Sequence, residues 1–145
     1  MLVRNWMSPD PVTVAPEAEV GEARRLMRYY GVRHLPVVDG SGKVIGMVSD
    51  RDVRIDDSEV RRLAALGRIG DATGEGQVVE AVMSAPVHTV GVDEPVEAAA
   101  RLMLSRRVSA LPVVDADRVM QGLITTTDCL LASLTPSGDP QQVKR

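Results

Sequence analysis

Leu35-Pro36-Val37-Val38-Asp39 recurs as Leu111-Pro112-Val113-Val114-Asp115, an offset of 76 residues that constrains the fold more than any other feature of the chain. The same offset carries Met7-Ser8 to Met83-Ser84, Thr13-Val14 to Thr89-Val90, Leu26-Met27 to Leu102-Met103, Gly46 to Gly122 and Asp52 to Asp128. No gap is needed anywhere between Met7 and Asp52, so the chain is a duplicated unit.

Each copy reads alike. Val12–Val14 and His88–Val90 are short β-type segments that follow proline-rich turns. Val20, Ala23, Leu26, Met27 and Tyr30 then fall at helical spacing, as do Val96, Ala99, Leu102 and Met103. Leu35–Val38 has strand length, Asp39-Gly40-Ser41-Gly42 is turn chemistry, and Val44–Ser49 supplies a returning strand. A last helix is expected near Asp50 and again near Thr126. The order per copy is β-α-β-β-α, an α/β (α+β) class. A unit of roughly 50 residues buries too little apolar surface to stand alone, so the two copies are expected to pack as one pseudo-twofold body. The boundaries read from sequence are 1–58 for the first copy, 59–77 for a linker, 78–134 for the second copy and 135–145 for a disordered tail. Gly67 to Gly76 holds four glycines but no Gly-Lys-Ser/Thr follows them, which favours a linker over a phosphate loop.

Composition removes several classes of function. Lys plus Arg number 17 against 20 acidic residues, a net charge of −3, which disfavours general binding to nucleic acid or anionic membranes. Aromatics are only 2%, too few for a base-stacking platform. Two histidines and one cysteine cannot build a Cys/His zinc cage, and Cys129 has no partner for an internal disulfide. No apolar run has the length of a membrane span, and Arg4 interrupts the N-terminus where a signal core would lie, so a cytoplasmic location is expected.

One motif occurs twice at a strand-to-helix junction. Gly46-Met47-Val48-Ser49-Asp50-Arg51-Asp52 and Gly122-Leu123-Ile124-Thr125-Thr126-Thr127-Asp128 both read Gly-x-x-Ser/Thr-x-x-Asp. A hydroxyl residue followed three places later by an acid is close to a capping box, in which both side chains only satisfy free helix N–H groups. The functional alternative starts from the anion affinity of a helix N-terminus. Asp52 and Asp128 would repel a phosphate on that turn, whereas a carboxylate suits the vicinal diol of a ribose, with Ser49 and Thr125 close to the ribose or the nearest phosphate.

The doubled Val-x-x-Leu-Pro-Val-Val-Asp, the doubled Gly-x-x-Ser/Thr-x-x-Asp and the β-α-β-β-α order resemble a tandem pair of cystathionine-β-synthase (CBS) domains, a Bateman module, over roughly residues 1–134. The resemblance implies two clefts between sheets packed face to face, adenosine ligands such as AMP, ADP, ATP or S-adenosylmethionine (with NAD a further candidate), and pairing into dimers. It also implies that Ser49 and Asp52 face His88, Val108, Ser109 and Ala110, while Thr125 and Asp128 face Val12, Val32, Arg33 and His34. Arg33 and His34 can meet phosphates, which ranks the Asp128 cleft first for a phosphorylated ligand.

The remaining candidates resolve to plainer roles. Cys129 beside Leu130-Leu131 reads as a packed thiol, Trp6 as a pin for the N-terminal segment, and Arg24-Arg25-Arg28 and Arg61-Arg62 as solvated helix faces. No catalytic constellation or metal site is legible and no cofactor is required. The expected function is a stand-alone, non-catalytic sensor of adenine nucleotides that acts on a separate effector protein. The alternative is a structural or protein-interaction module with empty clefts. A homodimer is expected through the apolar stripes of Val20–Tyr30 and Val96–Arg106.

Overall fold

The structure, a computed structural model, describes residues 1–54, 62, 65–67 and 76–143. Among these, α1 (Val3–Trp6), β1 (Ser8–Pro9), α2 (Val20–Tyr30), β2 (His34–Val38), β3 (Val44–Ser49), β4 (Val90–Gly91), α3 (Val96–Arg106), β5 (Ala110–Val114), β6 (Met120–Thr125) and α4 (Thr126–Ser133) follow in order, with 3-10 turns at Val79–Ala81 and Pro140–Gln142. The second copy thus has the expected β-α-β-β-α order. In the first copy the β-type segment is a single parallel bridge, Val14 to Val37; the helix expected from near Asp50 meets a turn at 50–53, and its remaining stretch over 55–61 lies outside the described residues. Most of the expected linker lies outside them as well.

The chain forms two compact units that do not follow the sequence boundaries: Met1–Pro11, Gly42–Val44 and His88–Arg145 make one, Val12–Ser41 and Ile45–Val87 the other. The segment before each copy has been exchanged. Val3 and Trp6 are fully buried in a core with Val90, Val96, Ala99, Met103, Leu111, Val113, Ile124 and Ala132. Backbone bonds hold them there, from Val3 N–H to the Glu94 carbonyl (2.9 Å) and from Val96 N–H to the Met1 carbonyl (2.9 Å). Val79 takes the equivalent place in the other core, with Val14, Val20, Ala23, Met27, Leu35, Val37, Val48 and Val53. The driving force is burial of large apolar side chains that neither copy's own strand and helix could cover.

The exchange explains the repeated Met-Ser and the repeated glycine together. β1 pairs antiparallel with β6, Ser8 opposite Leu123 and Pro9 opposite Gly122. A Cβ on Gly122 would collide with the Met7 sulfur and lie 2.9 Å from both Met7 Cγ and the Ser8 carbonyl oxygen. At Gly46 the collision is with the Met83 sulfur, with Ser84 O at 3.2 Å. Only glycine lets the exchanged strand approach so closely.

In the second-copy unit the sheet runs β1-β6-β5-β4, with β5 and β6 antiparallel (Ala110 opposite Thr125) and β4 parallel to β5; in the first-copy unit β2 and β3 pair. The proline of each Leu-Pro-Val-Val strand limits the parallel ladder. Val14 N–H donates to the Pro36 carbonyl and Val38 N–H to the Val14 carbonyl, both at 3.0 Å. The next rung would need an N–H on Pro36, which proline lacks, so the ladder stops after one bridge.

Helix α2 buries Val20, Ala23 and Met27, and α3 buries Val96, Ala99 and Met103, as the spacing predicts. Both end in a left-handed residue. In α2 it is Gly31 (φ 65°); in α3 it is Arg107 (φ 57°), a conformation that costs a side-chain-bearing residue energy. Beyond Leu134, Thr135 is buried and its hydroxyl donates to the Leu131 carbonyl (2.7 Å).

Candidate ligand-binding site

Strand β6 runs directly into α4, so Thr125 stays extended as the N-cap while Asp128 occupies the first turn. Asp128 Oδ2 accepts from Thr125 N–H (2.9 Å) and from the Thr125 hydroxyl (3.1 Å), and Thr125 Oγ1 accepts from Asp128 N–H (3.3 Å). This is a complete capping box. The first copy repeats half of it: Asp52 Oδ2 accepts from Ser49 N–H (2.7 Å) and from the Ser49 hydroxyl (3.1 Å). One carboxylate oxygen does this work in both copies. Oδ1 of Asp52 accepts no hydrogen bond among the described residues. Asp128 is 8% exposed, so its charge is held against the fold by these donors.

Of the expected site residues, Val12, Val32, Arg33, His34, Ser49 and Asp52 belong to the first-copy unit; His88, Val108, Ser109, Ala110, Thr125 and Asp128 belong to the second. Within each unit the structure brings the motif turn against the residue that precedes the Leu-Pro-Val-Val strand. Asp50 N–H donates to the Arg33 carbonyl (2.9 Å), and Thr126 N–H donates to the Ser109 carbonyl (3.0 Å). Sequence reasoning missed this own-copy adjacency, although the constant offset between Arg33 and Ser109 and between Asp50 and Thr126 was its visible signal.

Electrostatics separate the two turns. His34 is half-buried, and burial lowers its pKa; Asp50 and Asp52 oppose the shift while Arg33 adds to it. The second copy has Ala110 at the equivalent position, buried and without charge. The Val12 carbonyl is the acceptor left over by the missing Pro36 N–H, and it accepts no hydrogen bond among the described residues. Its counterpart, the His88 carbonyl, precedes Pro112 in the same way and is likewise unused. A carboxylate fixed through Oδ2 and an unused backbone acceptor therefore recur in both copies.

Cys129 lies on α4, where burial first, then Asp128 and Glu97, raise its pKa, so the thiol stays protonated at neutral pH and is a poor nucleophile. Among the described residues no three His, Cys, Asp or Glu side chains gather to hold a metal, and no helix is long and apolar enough to cross a membrane.

Known proteins share this arrangement. The chain is 33% identical over 121 residues to inosine-5′-monophosphate dehydrogenase of Methanocaldococcus jannaschii, covering 83% of this chain but 21% of that enzyme. It thus spans about a fifth of the length of the enzymes it matches. Two solved structures agree over nearly their whole length. The CBS-domain pair of protein MJ0100 in complex with 5′-methylthioadenosine and S-adenosyl-L-methionine has a TM-score of 0.73 at 27% identity, covering 93% of this chain and 98% of that one. CBSX2, a CBS-pair protein of Arabidopsis thaliana, in complex with AMP has a TM-score of 0.74 at 31% identity, covering 99% and 98%. The sequence model of the CBS domain matches residues 3–56 and 79–135, so the chain, with its two motif turns and its two strand-proline strands, belongs to the CBS-domain family as a tandem pair.

Proposed function

We propose that this CBS pair is a non-catalytic regulatory module that binds an adenosine-type ligand and passes its occupancy to a separate effector protein in the cytoplasm. The observation that carries the reading is the carboxylate in each motif turn, whose orientation is set through Oδ2 by backbone and hydroxyl donors of the chain itself. Such a group accepts two ribose hydroxyls without paying for its own ordering. In this reading Thr125 and Asp128 serve one ligand together with Val12, Val32, Arg33 and His34. Ser49 and Asp52 serve the other with His88, Val108, Ser109 and Ala110. The proteins solved with AMP and with S-adenosylmethionine support the ligand class. Arg33 favours a phosphorylated member of it in the Asp128 site.

The complete capping box favours a second reading, an interaction module whose acids only cap helices. Thermal unfolding with AMP, ATP, NAD and S-adenosylmethionine separates the two, because a ligand that binds only the folded chain raises its melting temperature. No shift with any of them at millimolar concentration removes the nucleotide reading.

The same proposal includes a homodimer. The apolar stripes of α2 and α3 both face their own units' cores. What supports a contact between copies is a different face, that of α3 and α4: Leu104, Val108 and Leu130 are exposed around a groove of about 510 Å³ floored by Met103 and Cys129. A contiguous apolar face of this kind suits an isologous contact. Sedimentation equilibrium that finds only the 15.6 kDa species at tens of micromolar would exclude it.

A further inference from the structure

Two helix faces related by the duplication have diverged in opposite directions. In the second copy the groove face carries Ala100, Leu104 and Leu130, with Arg101 alongside. The residues 76 positions earlier are Arg24, Arg28 and Arg54, with Arg25 alongside. Where one copy is apolar, the other has exchanged three positions for arginine. Arg25, Arg28 and Arg54 are exposed and make no side-chain ion pair among the described residues. Arg24 is tied down, its Nε donating to the Val53 carbonyl (3.0 Å). Burial first, then the neighbouring charges of Arg28 and Arg25, lower its pKa. Glu22, in the first turn, is the one acid on α2.

The last turn adds a second, independent feature. Tyr29 and Tyr30 are 82% and 53% exposed, and their rings meet edge to face with centroids 4.9 Å apart. The chain has three aromatic residues in all, and two of them stand in solvent here while the third, Trp6, fills a core. Arg25, Arg28 and Tyr29 stand at i, i+3 and i+4 and so share one face of the helix. Exposed tyrosine beside arginine is the residue pairing that dominates protein–protein contact energies.

We propose that the exposed face of α2, built by Arg25, Arg28, Tyr29 and Tyr30 with Arg54 beside it, is a docking surface for an acidic protein segment, one carrying carboxylates together with aliphatic side chains. The geometry argues against the two other occupants. A second copy would set arginine against arginine across a twofold axis, which costs energy at each pair. A nucleic acid needs a run of phosphate contacts, whereas Arg25 and Arg28 lie within roughly 5 Å along the helix axis and the chain as a whole carries a net charge of −3. A short acidic segment needs only a patch of this size, and the two rings give its aliphatic side chains a surface to cover.

The test uses the full chain and a fluorescein-labelled peptide of Glu-Glu-Leu repeats, with a Gln-Gln-Leu peptide and oligo-dT as comparisons, read by fluorescence anisotropy. Saturable binding of the Glu peptide is expected, weakening with added salt. Arg25→Glu with Arg28→Glu should reduce it roughly tenfold or more, and Tyr29→Ala with Tyr30→Ala severalfold. Arg106→Glu, on α3, should leave it unchanged. Arg25→Gln with Arg28→Gln stands in if the charge reversal fails to fold. Absence of saturable binding, equal binding by the arginine variants, or tighter binding of oligo-dT overturns the proposal. So does a change in sedimenting mass caused by the arginine variants, which would make the face a contact between copies. The thermal response to AMP should be the same in wild type and variants, so the outcome is independent of the nucleotide reading.

Discussion

Asp128 carries both a structural and a ligand-facing assignment, and one substitution separates them. Asp128→Asn keeps the shape but loses the charge, so nucleotide affinity should fall by roughly 1.5–3 kcal/mol, the scale of hydrogen bonds to charged groups. Stability should fall by about 1 kcal/mol, the usual loss at a cap. If Asp128 only caps α4, calorimetry will find the stability loss with affinity unchanged. Arg33→Ala should weaken AMP while leaving adenosine nearly untouched, since the guanidinium is assigned to phosphate; equal affinities for both ligands remove that assignment. His34 supplies a pH dependence of definite sign. Its folded-state pKa lies below the unfolded value of about 6.5, so the unfolded chain binds more protons between the two values. Stability should therefore be intact above about pH 6.5 and decline as pH falls through that interval. Urea unfolding of His34→Gln across the same range should show a shallower decline, and parallel curves would assign the slope elsewhere. Both carboxylates and both hydroxyl residues were legible from the doubled motif alone. The unused carbonyls of Val12 and His88 were not, because they follow from a donor that proline lacks on the neighbouring strand, and such an effect has no period of its own.

Among the elements, the helices and the Leu-Pro-Val-Val strands were readable because periodicity and turn residues act over a few positions. The exchange of β1 was not. The offset that matches Met7 to Met83 is equally compatible with each methionine packing in its own copy, and only the three-dimensional contact decides. Gly122 and Gly46 now test that contact. A methyl group at Gly122 meets the Met7 side chain and, at 2.9 Å, the Ser8 backbone, which cannot move without breaking the β1–β6 pair. Gly122→Ala should therefore cost roughly 1–3 kcal/mol, as overpacking does. Gly46→Ala leaves 3.2 Å to the Ser84 oxygen and a flexible Met83 to yield, and should cost less. Chemical denaturation of the two variants checks the order, and the reverse order would mean that the β1 segment is the more yielding one.

At the scale of the whole molecule, duplication has produced copies that keep the same motif turn but present unlike helix faces. Leu104→Asp should abolish self-association in sedimentation runs without altering the response to AMP. A dimer that survives it does not use the α3–α4 face. The exchanged segments also have a consequence for biosynthesis. Val3 and Trp6 leave the ribosome ahead of every other member of their core, while Ile124 and Ala132 come near the end. At translation rates of about 5–20 residues per second, the nascent N-terminal turn waits on the order of ten seconds for its partners. The unit from Val12 to Val87 has all of its chain by then, whereas Trp6 still lacks core partners as late as Ile124 and Ala132. Synthesis itself thereby imposes an order on assembly, because Val3 and Trp6 must wait for core partners that follow them far along the chain.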